Sequence, residues 1–240
     1  MFSAMAEYFK VRINSRRFTW IVCLLALTRI GAVMAVDGNS SPSAPPVYKP
    51  PSRGAPALRV GGGTRDLKFV DLSVHAMVPE HTGLTSQARP VLYWYLSAPF
   101  QGRVELTVAD EKSGQPLLET AFDNVSHGGV QAVQLADYGV TLQPDVEYQW
   151  SVALVADPDQ RSKDILTGGG ILLAAPSQEL AAKAARATEK EKVYLYAEAG
   201  YWYDAIQAAQ KLVEKQPHDV AAAGMRASLL QQAGVPVEAR

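Results

Sequence analysis

Hydrophobic and polar positions change their period once along this chain. From about residue 66 to residue 175 the apolar residues come in short runs or alternate, as in strands. Val104, Leu106 and Val108 alternate with Glu105, Thr107 and Ala109, which places one face of a strand inward. Further strands are predicted over Leu67–Met77, Val91–Leu96, Leu117–Phe122, Val130–Leu135, Val146–Val155 and Ile165–Leu173, with a turn at Lys112-Ser-Gly-Gln115. Seven or so short strands at this spacing predict an antiparallel sandwich over residues 58–175. From Ser177 the composition turns to Ala, Glu and Lys at helical spacing. Three helices are predicted in residues 176–240. The first runs from Ser177 to about Ala199, the second covers Asp204–Gln216, and the third covers Val220–Ala233 with Asp219 as its cap. The fold class is therefore α+β.

Two local patterns sharpen this reading. Leu142-Gln-Pro144 precedes Tyr148, with Trp150 and Val152 alternating after it. That arrangement resembles the tyrosine corner of immunoglobulin-like and fibronectin type III sandwiches, and Trp94 is a candidate for the core between the sheets. The second pattern is an echo at a spacing of 34 residues. Ala199-Gly200 recurs as Ala233-Gly234, and Asp204-Ala205 recurs as Glu238-Ala239. Gly200, Ala205 and Pro217 resemble a tetratricopeptide repeat, a helical hairpin of this period. The chain holds about one and a half such units, too few to bury their own faces. The sandwich of the same chain is the expected support.

The N-terminus carries a different signal. Lys10, Arg12, Arg16 and Arg17 precede an apolar run from Phe18 to Thr28, and Val33-Met-Ala35 follows. This is the pattern of a secretory signal peptide over residues 1–35, with a periplasmic or otherwise extracytoplasmic destination. An uncleaved anchor in an inner membrane is the alternative, and is the only expected membrane contact. Residues 36–57, with six prolines from Pro42 to Pro56, read as a Pro/Ser-rich linker unable to build a core. The sole cysteine, Cys23, lies inside the signal, so the remainder has no disulfide. Beyond residue 35 the chain holds 18 basic and 23 acidic residues, a net charge of −5. That balance argues against a nucleic-acid partner.

Candidate chemistry is sparse. Arg59-Val-Gly61-Gly62-Gly63-Thr-Arg65 offers consecutive backbone N–H groups between two arginines, a nest for an anion or glycan. His75, His81, His127 and His218 show no metal-ligand spacing. Glu80-His81-Thr82 supplies a base without a paired nucleophile, and Ser162 lies in a polar loop with Asp157, Asp159, Arg161 and Asp164. No metal, cofactor or catalytic residue is predicted, and the chain reads as a non-enzyme. Tyr194, Tyr196, Tyr201, Trp202 and Tyr203 cluster in the helical part. They form either a recognition surface or the seam that docks helices on the sheet. Tyr201, Trp202 and Tyr203, with the exposed Lys211 and Lys215, are the candidate partner-binding residues.

A longer set of motifs carries a family resemblance. Pro51-Ser-Arg-Gly-Ala-Pro56, Arg59–Arg65, Pro79-Glu-His-Thr-Gly-Leu-Thr85 and Tyr93-Trp-Tyr-Leu96 are joined by Tyr148-x-Trp150, Val155-x-Asp-Pro158, Arg161-Ser162 and Gly200-x-Trp-Tyr-Asp-Ala205. Together they resemble the bacterial family known as domain of unknown function 928, over about residues 50–240. The resemblance implies an exported protein without an assigned activity. The functional expectation is an envelope scaffold or adaptor that binds another envelope protein. An anion- or glycan-binding module built on the glycine-rich loop is the alternative.

Overall fold

The computed structural model describes residues 44–51 and 72–236. The signal-like segment, the glycine-rich loop at 59–65, and Glu238-Ala239 lie outside the described residues. Among the described residues, eight strands are followed by four α-helices. The strands are β1 (Val74–Ala76), β2 (Gly83–Thr85), β3 (Val91–Leu96), β4 (Phe100–Asp110), β5 (Pro116–Val125), β6 (Gly129–Gln134), β7 (Glu147–Val155) and β8 (Ile165–Leu173). The helices are α1 (Gln178–Arg186), α2 (Glu189–Glu198), α3 (Trp202–Lys215) and α4 (Val220–Gln232).

The strands form two sheets. One has the order β1-β3-β6 and is antiparallel throughout, and the other has the order β2-β8-β7-β4-β5. The second sheet corrects the purely antiparallel expectation, because β2 runs parallel to β8 with Leu84 opposite Leu172. A three-residue strand between two loops carries too little pattern to reveal its direction. β4 shows the predicted alternation, with Val104, Leu106 and Val108 each fully buried. The turn after it is closed by the Asp110 carboxylate, which accepts from the N–H groups of Lys112 and Ser113. Gly114 follows in the left-handed region at φ 69°.

The two sheets share one core, in which Trp94 of the first and Trp150 of the second are each 1% exposed. A polar tie crosses between them. The Ala76 N–H donates to the Thr167 hydroxyl at 2.7 Å, and Thr167 is itself buried. The Tyr148 hydroxyl accepts from the Gln143 N–H at 3.3 Å, linking β7 to the corner that precedes it.

The helical part departs from the three-helix expectation. The stretch from Ser177 to Ala199 is two helices. Ala187 turns to an extended conformation, and Thr188 then starts α2 with a capping box. The Thr188 hydroxyl accepts from the Glu191 N–H, while the Glu191 carboxylate accepts from the Thr188 N–H at 2.7 Å. Two orphan donors are satisfied locally, so a fresh helix start competes with continuation. Asp219 caps α4 as expected, accepting from Ala221 at 2.8 Å. The described half of the 34-residue echo has a physical basis. Gly200 and Gly234 both take positive φ, 82° and 66°. The residue after each donates back over the helix end, Tyr201 to Tyr196 O and Val235 to Leu230 O, both at 2.9 Å.

Replacing Tyr148 by Phe removes the corner hydrogen bond while keeping the ring. The expected cost is about 1 kcal/mol in a urea unfolding titration, with an unchanged slope.

Candidate functional site

The start of α3 joins the helices to the sheets. Gly200 ends α2, and Tyr201 leads into α3 with its hydroxyl donating to Ala175 O at 3.0 Å. Three successive residues then bond to the strand region. The Trp202 indole N–H donates to Met77 O at 2.9 Å. The Tyr203 hydroxyl donates to Gly170 O on β8 at 2.9 Å and accepts from the Trp150 indole N–H on β7 at 2.8 Å. The Asp204 carboxylate accepts from the Ser86 N–H at 2.9 Å, the Ser86 hydroxyl at 2.5 Å and the Gln87 side-chain amide at 3.2 Å. Close approach requires a small residue opposite, since a Cβ at Gly83 would sit 2.9 Å from the Tyr203 ring.

Tyr201, Trp202 and Tyr203 are therefore corrected as a recognition surface. Their side chains are 7%, 0% and 2% exposed, because each hydrogen-bonding tip finds its partner inside the molecule. Burial also pushes the phenol of Tyr203 well above the usual tyrosine range. The residue that sequence reasoning missed is Asp204, a buried carboxylate two positions beyond Trp202. Its signal was an acidic residue in the first turn of a helix otherwise buried on that side.

A second correction concerns the linker. Residues 44–51 carry no helix or strand but pack on the helices. Pro46 and Tyr48 are buried while Val47 and Lys49 are exposed, the alternation of an extended chain. Four hydrogen bonds hold the backbone. Ala44 O accepts from the Tyr194 hydroxyl at 2.9 Å, and Pro46 O accepts from the Gln232 side-chain amide at 2.7 Å. The Tyr48 N–H donates to the Gln232 Oε1 at 2.9 Å, and the Lys49 N–H donates to Ala197 O at 3.0 Å. A proline-rich segment has no internal hydrogen bonds of its own, so these groups are free to pair with side chains and helix ends. The linker reading weighed the lack of core-forming residues and overlooked this option.

Tyr48 anchors this strap. Its ring stacks on His81 with centroids 5.7 Å apart and meets Trp202 edge-on at 4.9 Å. Its hydroxyl shares a hydrogen bond with His81 Nε2 at 2.8 Å. Burial lowers the imidazole pKa against the opposing pull of Glu80, and it raises that of the Tyr48 phenol. His81, considered as a base, thus serves as one wall of the Tyr48 pocket. Lys49 extends outward to Glu198 at 2.7 Å. At Gly200 a Cβ would lie 2.9 Å from Lys49 O, so the strap and the left-handed turn both favour glycine there.

The other candidates are placed as follows. Lys211 and Lys215 are exposed on α3. The Glu189 carboxyl is held below its usual range by its hydrogen bond from Lys192, to which the charges of Lys211 and Lys215 add. Ser162 lies in an exposed turn whose Arg161 makes a paired contact with Glu105, at 3.1 and 2.6 Å. The Arg161 and Arg103 hydrogen bonds hold the Glu105 carboxyl down at about 2. An open groove of about 670 Å³ lies between α1 and α2, with Ala182, Tyr194 and Leu195 on its apolar side. Arg59, Gly61, Gly62, Gly63 and Arg65 lie outside the described residues. Among the described residues no helix is long and apolar enough to cross a membrane.

Asp204→Ala leaves the Ser86 N–H and hydroxyl without their acceptor at a part-buried contact, while the Gln87 amide keeps Gln207. The expected loss is about 3 kcal/mol in chemical denaturation, against less than about 0.5 kcal/mol for the exposed Lys211→Glu.

No curated protein matches the chain. A family model described as Domain of Unknown Function (DUF928) matches residues 60–239, about three quarters of the chain and all of the strand and helix region. The motifs singled out from sequence within those bounds, from Arg161-Ser162 to Gly200-x-Trp202-Tyr203-Asp204-Ala205, thus sit in the matched region, and the chain belongs to the DUF928 family.

Proposed function

We propose that this protein is an exported, non-enzymatic envelope protein that acts as an interaction scaffold, binding another envelope protein through its helical part. The observation that carries the reading is how the helices divide their surfaces. The first two and a half turns of α3, Trp202 to Gln210, are buried on every side against the rest of the chain. The C-terminal end of α3, with Lys211 and Lys215, is exposed, and the α1–α2 groove is open. A helical unit anchored through one end, with exposed surface at the other, is suited to holding a partner.

The finer readings of the fold belong to the same proposal. The two sheets are read as an immunoglobulin-like sandwich, supported by the Tyr148 corner bond and the shared Trp94–Trp150 core. The helices α2 to α4 are read as one and a half tetratricopeptide-like units, supported by the paired left-handed stops at Gly200 and Gly234. Export rests on the basic, then apolar, then small-residue order of residues 10–35.

The test is crosslinking and capture from the native envelope with wild-type protein and with Lys211→Glu/Lys215→Glu. The double variant is expected to lose most of the captured partner at an unchanged melting temperature, since both positions are exposed. Undiminished capture by the variant would place the binding surface elsewhere. Turnover of a substrate that is abolished by changing His81 or Ser162 alone would overturn the non-enzymatic reading.

A further inference from the structure

The strap at residues 44–51 is held the way a bound peptide is held. Gln232 grips it with both ends of its amide, donating to Pro46 O and accepting from the Tyr48 N–H. Tyr194 and Ala197 supply two further main-chain contacts. None of these four bonds reads a side chain of the strap, so any extended segment can make them. Selectivity comes from two places. The pocket between His81 and Trp202 accepts a tyrosine and meets its hydroxyl. Glu198 meets the basic residue that follows.

The segment is also joined to the body loosely in sequence terms. Twenty residues, 52–71, separate Pro51 from Leu72. A chain of that length spans up to about 70 Å, so covalent geometry does not force the strap into this place. What holds it there is the set of contacts just described.

We propose that this face is a recognition site for an extended Pro-x-Tyr-Lys/Arg segment of a partner protein, and that the chain's own Pro46-Val-Tyr48-Lys49 occupies it until displaced. Exchange of straps between two copies refills each site with the same segment, so an occupant that displaces the strap comes from a different protein. Because the cis segment is tethered, it competes with every incoming peptide and sets the affinity that a partner must exceed. The proposal deepens the scaffold reading by giving the partner a chemistry. It uses a surface distinct from Lys211 and Lys215, so its failure leaves the capture result on those lysines standing.

The experiment uses the whole chain and a fluorescently labelled synthetic peptide with the sequence of residues 44–51, read by anisotropy. Tyr48→Ala empties the pocket and weakens the hold on the strap. This variant is expected to bind the peptide saturably and at least ten-fold more tightly than wild type. Adding Gln232→Ala, or replacing the peptide's tyrosine by alanine, should abolish the binding. Lys49→Pro provides a second arm if Tyr48→Ala fails to fold. It removes the N–H that bonds Ala197 O and the amine that meets Glu198, but it keeps Tyr48 as a core residue. Binding about ten-fold tighter than wild type is expected there too. A folded Tyr48→Ala or Lys49→Pro chain that binds the peptide no more tightly than wild type would overturn the proposal.

Discussion

The Tyr203 hydroxyl lies between two strands of one sheet, donating to Gly170 on β8 and accepting from the Trp150 indole on β7. That contact, with Trp202 on Met77 and Asp204 on Ser86, locks the first turn of α3 to the sheets. The rest of the helical part depends on it. α2 is positioned because Gly200 delivers the chain directly into this turn. α4 is positioned because it packs on α3. A helical unit of this length cannot cover both of its faces, and isolated short repeats are unstable for that reason. Here the missing neighbour is a sheet edge region, engaged by polar tips as well as by apolar area. Each buried polar tip has a defined partner, so a slide of α3 by one turn would strand all of them at once.

The same constraint explains how much of the molecule could be read from its sequence. The strands β3 and β8 coincide with their expected bounds, because each is an apolar run buried along most of its length between polar or proline residues. The ends of α3 and α4 were legible from Pro217, Gly200 and Gly234, which act through backbone geometry. The break at Ala187 was not recognised, although Thr188-x-x-Glu191 is a readable capping box. The continuous Ala-, Glu- and Lys-rich composition across the break masked it. The parallel pairing of β2 with β8 was illegible in principle, since the direction of a three-residue strand is set by contacts distant in sequence.

The candidate site divides in the same way. Aromatic residues at Tyr201–Tyr203 were visible, but composition cannot tell a docking seam from an exposed patch. The decision rests on partners 26 to 125 positions away. Asp204 and the strap were missed for opposite reasons. Asp204 is polar and was not expected inside. Residues 44–51 are proline-rich and were expected to stay outside. Each is retained because hydrogen bonds, not apolar area alone, hold it in place. With Tyr48 packed edge-on against Trp202, the strap reports on the same turn of α3 that ties helices to sheets. Strap, helices and strands therefore converge on one residue cluster.

The central claim is that the helices and the sheets form one cooperative structure through the first turn of α3. Native-state hydrogen exchange measures this directly, by comparing the opening free energies of amides in α2 and α3 with those in β7 and β8. The account predicts that the most protected amides of α3 and of β7 exchange with the same free energy and the same denaturant dependence, and that both drop together in Tyr203→Phe. Exchange of α2 to α4 in a separate, lower-energy opening that leaves β7 and β8 protected would contradict it.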